Sequence, residues 1–244
     1  MPERPTRMPS IADIVAQIQA GGLPVLFADT CILLDVIRAP LRPAQLPGCV
    51  EAAQELLQLV TIPPVRCTLV VASFVPREWL TYAGSEADNL RAHLTEIDDE
   101  IERLHQFCGL VGITPPLPNP GYRLLSLAER LHDLSRRLLD GALCLHPDQD
   151  CIIRAHGRAS NYMPPSLKGG EVKDATIVEE CLEVSRRLQV VGFPPKRVFC
   201  TSNTRDYCER GSSRPHPSLA VDLGAAALGF ATNLPWAVNE IKEL

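Results

Sequence analysis

Val25-Leu26-Phe27-Ala28-Asp29-Thr30 joins four apolar residues directly to an acid and a hydroxyl. A short run that is apolar on both faces is typical of a buried strand in a parallel sheet. A carboxylate at the end of such a strand tends to face the cleft of an open α/β sheet. An acid after four apolar residues also costs free energy unless it is paired or functional. The run therefore predicts a first core strand and a functional carboxylate at Asp29.

Three further acids stand in comparable positions along the chain. Glu78 follows a β-rich run, Asp174 opens a helix-like stretch, and Asp206 follows another apolar run. Four carboxylates that converge on one cleft would repel one another strongly without a cation. Hard cations such as Mg²⁺ take oxygen ligands, which carboxylates supply. The pattern predicts a metal site of Asp29, Glu78, Asp174 and Asp206 and a substrate that carries negative charge.

The spacing of apolar residues predicts alternating strands and helices. The fold class expected from that alternation is α/β, a three-layer α/β/α sandwich around a central, mainly parallel sheet. The region 141–170 is interpreted as a loop with short turns. The remaining predicted elements are helices over Ile11–Ala20, Glu51–Val60, Asp174–Leu188 and part of Leu219–Phe230 (with a last short strand after it), and strands over Val65–Phe74 and Arg197–Thr201.

The period changes between Glu86 and Asp140, where apolar residues step alternately by four and three. A proline-rich breaker at 115–121 divides the segment, and no helix continues through such a run. Two helices with narrow apolar stripes predict an antiparallel hairpin with coiled-coil packing. We expect a single domain over 1–244 in which residues 86–140 form a helical hairpin insertion. The stripes are interpreted as core first, and alternatively as a surface for a protein partner or a homodimer.

Composition limits the class of protein. The chain has 244 residues, is 45% hydrophobic, and contains no apolar run of the ~20 residues that a bilayer span requires. No signal-peptide core follows the N-terminus, and nine cysteines without a framework of spacings are typical of a reducing compartment. We therefore expect a cytoplasmic protein that does not enter the membrane.

The charge is unevenly distributed. The formal net charge of −5 argues against a protein that coats nucleic acid nonspecifically. Residues 150–214 nevertheless contain 11 Lys and Arg against 8 Asp and Glu. This region holds Asp174 and Asp206, so its charge favours a phosphate-bearing substrate. Ordinary solvated surface charge is the alternative explanation.

Four short segments resemble those of the PIN domain, a metal-dependent nuclease fold. They are the strand that ends at Asp29, the region of Glu78, the run Gly169-Gly170-Glu171-Val172-Lys173-Asp174-Ala175-Thr176-Ile177, and the run Phe199-Cys200-Thr201-Ser202-Asn203-Thr204-Arg205-Asp206-Tyr207. The resemblance implies an endoribonuclease that uses Mg²⁺ or Mn²⁺, held by the four acids. Many PIN domains have a metal-binding Asp where this chain has Asn203, and the chain is longer than the compact PIN toxins.

Other side chains are expected to position the substrate. Thr30 and Thr201 are suited to holding water or phosphate, although hydroxyls also cap strand ends. Asn203 and Lys173, in the segments that carry the acids, are also expected to position the substrate. Arg136 and Arg137, on the second hairpin helix, are expected to contact RNA phosphates.

Three alternatives remain open. A PIN-like scaffold or RNA-binding module would keep the fold without turnover, and a structure-specific DNA nuclease would share the fold but usually carries more acids. A zinc site is a third possibility, because the chain contains a Cys/His cluster with spacings unlike those of a usual zinc knuckle. Its members are Cys144, His146, Cys151 and His156.

Overall fold

A five-stranded parallel sheet organises the computed structural model, which describes residues 9–42, 48–114 and 121–242. The strands are β1 Val25–Ala28, β2 Thr68–Val71, β3 Leu143–Cys144, β4 Arg197–Cys200 and β5 Gly229–Ala231. The helices are α1 Ile11–Gly21, α2 Thr30–Arg38, α3 Gly48–Thr61, α4 Val75–Leu110, α5 Leu127–Asp140, α6 Gln149–Ser160, α7 Val172–Val190, α8 Thr204–Tyr207, α9 Pro217–Ala225 and α10 Leu234–Lys242. This confirms the predicted three-layer α/β/α class with a parallel sheet.

The strand order, β3-β2-β1-β4-β5, creates a switch point in the middle of the sheet. From β1 the chain adds β2 and β3 on one side, and it then returns to add β4 and β5 on the other. Ala28 pairs with Val71 of β2 and with Cys200 of β4, so the three strands end level. Ligands of open α/β sheets bind outside the carboxyl ends of strands at such a switch point. The topology therefore locates a cleft beside the residues that follow β1 and β4.

The centre of the sheet is fully covered. Every residue of β1 and β4 is buried, and Phe27 and Phe199 are completely so. Helices on both faces explain why these strands are almost wholly apolar rather than alternating. The strand ends are thereby fixed in place, which gives the side chains that follow them a rigid support.

The two helices between β2 and β3 differ in extent from the predicted hairpin. The helix α4 begins at Val75, directly after β2, and not at Glu86. Its Trp79 Nε1 donates to Ser135 Oγ of α5 at 2.8 Å, and that hydroxyl donates to the Leu33 carbonyl oxygen of α2 at 2.7 Å. These helices form the crossover from β2 to β3, and their near halves belong to the main core.

The far half of this crossover is more open than a coiled-coil stripe. Leu90, Leu94, Ala128 and Leu131 form a small second cluster between α4 and α5. Farther along, Leu104 is 57% exposed and Leu124 is 74% exposed. The predicted packing thus extends over only part of each stripe. The proline breaker lies largely outside the described residues.

The interpretation of 141–170 as a loop is wrong. This region contains β3 at the sheet edge and the helix α6. The Asp148 side chain caps α6 by accepting from the Cys151 N–H at 3.0 Å. A strand of two residues and a helix with a narrow buried face leave too few apolar repeats for a pattern to reveal them.

None of the helices within residues 9–42, 48–114 and 121–242 combines the length and the apolar character needed to cross a bilayer.

Candidate active site

A cleft of about 240 Å³ opens at the switch point of the sheet. Three of the four predicted acids line it, from three separate elements of the fold. Its lining residues are Asp29, Thr30, Cys31, Leu34, Arg38, Glu78, Tyr82, Asp174 and Asn203. The carboxyl ends of β1 and β4, the start of α4 and the start of α7 therefore meet where the topology predicts a ligand site.

Asp29 is the most deeply placed acid of the cleft, with 6% of its surface exposed. It caps α2, and its Oδ1 accepts from the Thr30 N–H at 2.7 Å. Its Oδ2 accepts from Thr201 Oγ1 at 2.7 Å and from Cys31 Sγ at 3.3 Å. Burial raises the pKa of Asp29, while these hydrogen bonds oppose the rise and the charge of Glu78 adds to it. The hydrogen bonds therefore fix the orientation of the Asp29 carboxylate, while burial destabilises its ionised form.

Glu78 lies in the first turn of α4, one turn beyond the end of the β-rich run. Its Oε2 accepts from Thr30 Oγ1 at 2.8 Å, and its Oε1 forms an ion pair with Lys173 Nζ. Thr30 therefore ties Glu78 to α2, and Lys173 ties it to α7. Both residues were predicted to position substrate, and in the structure both hold a carboxylate of the cleft.

Asp174 lies in the first turn of α7. Its pKa is raised to about 7, first by burial and then by the negative charges of Asp29 and Glu78, with Lys173 opposing the rise. The helix is anchored elsewhere by Glu180, whose carboxylate accepts from the Ser73 N–H and hydroxyl at 2.8 Å each. Asp174 is thus held close enough to the other two acids to be influenced by their charge.

Asp206 is separated from these three acids. It is not among the residues that line the cleft, and its Oδ1 faces Arg205 Nε at 3.3 Å. Asn203, three residues earlier, lines the cleft in the segment after β4. The Asn203 N–H donates to Thr201 Oγ1 at 3.2 Å, which fixes this segment against the end of β4. The structure brings together Asp29, Glu78, Asp174 and Asn203 in the lining of the cleft, whereas Asp206 is buried outside that lining.

The two arginines expected to bind RNA are exposed on α5, outside the lining of the cleft. Arg136 pairs with Asp133 at 2.6 Å and with Asp140 at 2.8 Å. Two neighbouring carboxylates thereby offset its charge. An RNA contact at Arg136 and Arg137 remains a prediction.

Four lining residues were not foreseen: Cys31, Leu34, Arg38 and Tyr82. The signal for three of them lies in helical spacing. Leu34 and Arg38 follow Thr30 at intervals of four residues, so all three share one face of α2. Tyr82 follows Glu78 by four residues on α4 in the same way. Arg38, paired with Glu86 at 2.6 Å and with Asp35 at 3.9 Å, places a guanidinium in the lining of this otherwise acidic cleft.

The donor set suits a hard divalent cation, although its present geometry is not that of a formed metal site. Carboxylate oxygens are the ligands that Mg²⁺ and Mn²⁺ take. Among the described residues, however, no group of three or more His, Cys, Asp or Glu side chains is arranged to hold an ion. In this arrangement Lys173 already forms an ion pair with Glu78, and the Thr201 hydroxyl already donates a hydrogen bond to Asp29. The Cys144, His146, Cys151 and His156 alternative is likewise not gathered into a zinc site within this part of the chain.

Comparison with known proteins adds no family. No family model, curated protein or solved structure matches this chain.

Proposed function

We propose that this protein is a metal-dependent endoribonuclease, a hydrolase that cleaves RNA phosphodiester bonds in the cleft. The observation that carries the proposal is the convergence of Asp29, Glu78 and Asp174 at the switch point of a parallel sheet. Burial, and then the negative charges of Asp29 and Glu78, raise the pKa of Asp174, so the site favours either a proton or a cation. The resemblance of four segments to the PIN domain supports the same reaction.

The ion would be Mg²⁺ or Mn²⁺, held by Asp29, Glu78 and Asp174. When bound, it supplies polarisation of a phosphoryl oxygen and acidification of water, and hydrolysis would leave a 5′-phosphate and a 3′-hydroxyl. The resemblance to the PIN domain would make Asp206 a fourth acid of the site. Asp206 pairs with Arg205 and lies outside the lining of the cleft.

The chain's own residues have distinct tasks in this proposal. Thr201 and Thr30 hold Asp29 and Glu78 in place through their hydroxyls. Lys173 pairs with Glu78, and its exposed ammonium would contact an RNA phosphate if a cation held that carboxylate instead. Arg38 offers a second positive charge on the opposite helix, which would hold the scissile phosphate against the acids.

RNA as substrate and the cytoplasm as location belong to the same proposal. All nine cysteines are free thiols, which is typical of proteins in a reducing compartment. A protein partner or a homodimer through the α4–α5 crossover remains a prediction.

A cleavage assay tests the proposal directly. Labelled single-stranded RNA, single-stranded DNA and duplex DNA are incubated with the protein in Mn²⁺, Mg²⁺ or EDTA. We expect cleavage of RNA that requires the metal and is lost in Asp174→Asn. Full cleavage in EDTA would contradict the metal, and faster cleavage of duplex DNA would favour a structure-specific DNA nuclease.

A scaffold or RNA-binding module without turnover is the second candidate. One observation favours it: Lys173 and two threonines already occupy the acids without any cation. A scaffold would bind RNA but show neither cleavage nor a rise in Tm with Mn²⁺. Thermal melts across a Mn²⁺ titration separate the two candidates.

A further inference from the structure

A second and larger groove, of about 1020 Å³, opens next to the acidic cleft. It lies between the loop before α7 and the segment from α8 to the start of α9. The charged and titratable residues in its lining are Lys168, Arg205, Glu209, Arg210 and His216. Three permanent cations thus face one acid, which is the reverse of the cleft with its three acids and Arg38.

The positive charge of this groove is largely uncompensated. Lys168 and Arg210 are exposed, and neither forms an ion pair within the described parts of the chain. The Arg205 side chain is 74% exposed, although its Nε lies 3.3 Å from Asp206 Oδ1. Elsewhere arginines such as Arg136 and Arg158 are each engaged by two carboxylates. The groove therefore has cations free to meet an anion.

The backbone holds the groove in shape. Cys208 and Pro215 form an antiparallel bridge, and the Glu209 N–H donates to the Arg214 carbonyl oxygen at 3.0 Å. The His216 N–H donates to the Tyr207 carbonyl oxygen at 2.9 Å, which joins this small hairpin to the buried end of α8. Arg210 therefore lies on a turn that these backbone hydrogen bonds hold in place.

The groove and the cleft adjoin each other. Asn203 lines the cleft, and Thr204, the next residue, lines the groove. On the opposite wall, Lys168 stands in the loop that leads to α7, six residues before Asp174. A chain that leaves the acids along this direction meets positive charge on both walls.

We propose that this basic groove binds the phosphates of the RNA strand next to the scissile bond. The identity of the strand as RNA rests on the proposed function, whereas the preference for a polyanion follows from the groove itself. Arginine grips phosphate in a bidentate manner and lysine acts as a point charge. The groove is several times larger than the cleft, so it accommodates a polynucleotide rather than a single phosphate. The RNA then runs over the turn after α8, and this path would replace the contact with Arg136 and Arg137 on α5 that the sequence predicts.

Two double variants distinguish these paths. Lys168→Ala with Arg210→Ala removes charge from the groove, and Arg136→Ala with Arg137→Ala removes the same charge from α5. The probe is a fluorescein-labelled single-stranded RNA of about 12 nucleotides, within the range of single-strand sites. Anisotropy is measured in EDTA between about 50 and 200 mM salt, and far-UV circular dichroism confirms folding of each variant.

We expect the groove variant to bind at least about tenfold more weakly at low salt, with the salt slope reduced by about 0.7 for each lost contact. The α5 variant should keep the affinity and slope of the wild type. Unchanged binding by the groove variant, or weakening by the α5 variant alone, overturns the proposal, as does a wild type that does not bind RNA.

Cleavage by the wild type in Mn²⁺ is scored separately from binding. Cleavage together with unaltered binding by the groove variant would refute the groove and leave the proposed function standing. Binding lost in the groove variant, together with a wild type that never cleaves, would support the groove and refute the nuclease.

Discussion

The Thr201 hydroxyl donates to Asp29 Oδ2 at 2.7 Å and so joins the ends of the two central strands. Asp29 follows β1 directly and Thr201 follows β4 directly. Both residues are buried, which makes an unpaired oxygen at either position costly. This contact orients the Asp29 carboxylate at the switch point, where Asp29 lines the base of the cleft.

Replacing Thr201 by valine should lower the free energy of unfolding by about 1–3 kcal/mol, because the buried Asp29 oxygen loses a donor. Urea denaturation measures this loss, and an RNA cleavage assay should show reduced turnover in the folded variant. Thr201→Ser keeps the hydroxyl and is the control. Equal stability and activity of all three proteins would mean that the hydrogen bond does not position Asp29.

Asp174→Asn should stabilise the protein in EDTA while abolishing cleavage. The folded pKa of Asp174, about 7, lies above its ordinary value of 3.8, so the ionised acid destabilises the fold as pH rises through that window. At about pH 8 the variant should melt at least about 3 °C higher, and below about pH 4 the difference should vanish. Thermal melts at both pH values check the sign.

The matched control for that variant is Glu100→Gln, which removes one negative charge from an exposed position in the far half of α4. It should change neither the melting temperature nor the cleavage rate. A gain at pH 8 that is equal in both variants would point to net charge rather than to the acidic cleft.

Lys173→Met should separate metal binding from substrate binding. The loss of its ion pair frees Glu78, so the Mn²⁺ concentration that raises the Tm half-maximally should fall about fivefold, equivalent to roughly 1 kcal/mol. At saturating Mn²⁺, kcat/KM for RNA should nevertheless decrease, because a phosphate contact is gone. Lys242→Met, which removes a distant ion pair with Glu55, is the control. A weaker response to Mn²⁺ would show that Lys173 does not compete with the cation.

A buried ion pair away from the cleft should dominate the stability of the α6–α7 region. Arg158 is 5% exposed, and it pairs with Glu179 and with Asp222 at 2.5 Å each. Arg158→Ala should destabilise the protein by about 3 kcal/mol, because the buried Glu179 carboxylate loses its shortest ion pair and keeps Arg154 at 2.9 Å as its nearest cation. Arg186→Ala, which removes a more exposed cation 3.7 Å from Glu179, should cost no more than about 1 kcal/mol. Similar losses in both variants would contradict this ranking.

The sequence predicted the centre of the fold better than its edges. A strand such as β1 is short, wholly apolar and followed by an acid, so its own residues are enough to identify it as a buried strand. The edge strand β3 has two residues, and its existence depends on pairing with β2, which no local pattern records. The start of α4 was placed too late because its first turns carry polar residues that face the cleft.

The sequence identified those residues of the cleft whose position at a strand end or a helix start itself indicates a role. Asp29 and Asp174 stand at a strand end and a helix start, and both line the cleft. Arg38 and Tyr82 share helix faces with Thr30 and Glu78 through spacings of four, but which face meets the cleft depends on how α2 and α4 pack, which the sequence pattern does not record. In sequence Asp206 resembles the last acid of the PIN pattern. The residue of this segment that lines the cleft is instead Asn203, three positions earlier.

The helix α4 is one continuous helix, but we expect its inner half to be more stable against local opening than its outer half. Its 36 residues extend about 54 Å, and none of the residues of this helix after Leu94 is buried. Amide protons near Trp79 should therefore exchange with solvent only when the whole protein opens, whereas those beyond Leu94 exchange through local fraying. Mutations accumulate more freely in a segment that opens on its own, so the outer half of α4 can diverge or change length without disturbing the carboxylates at its base.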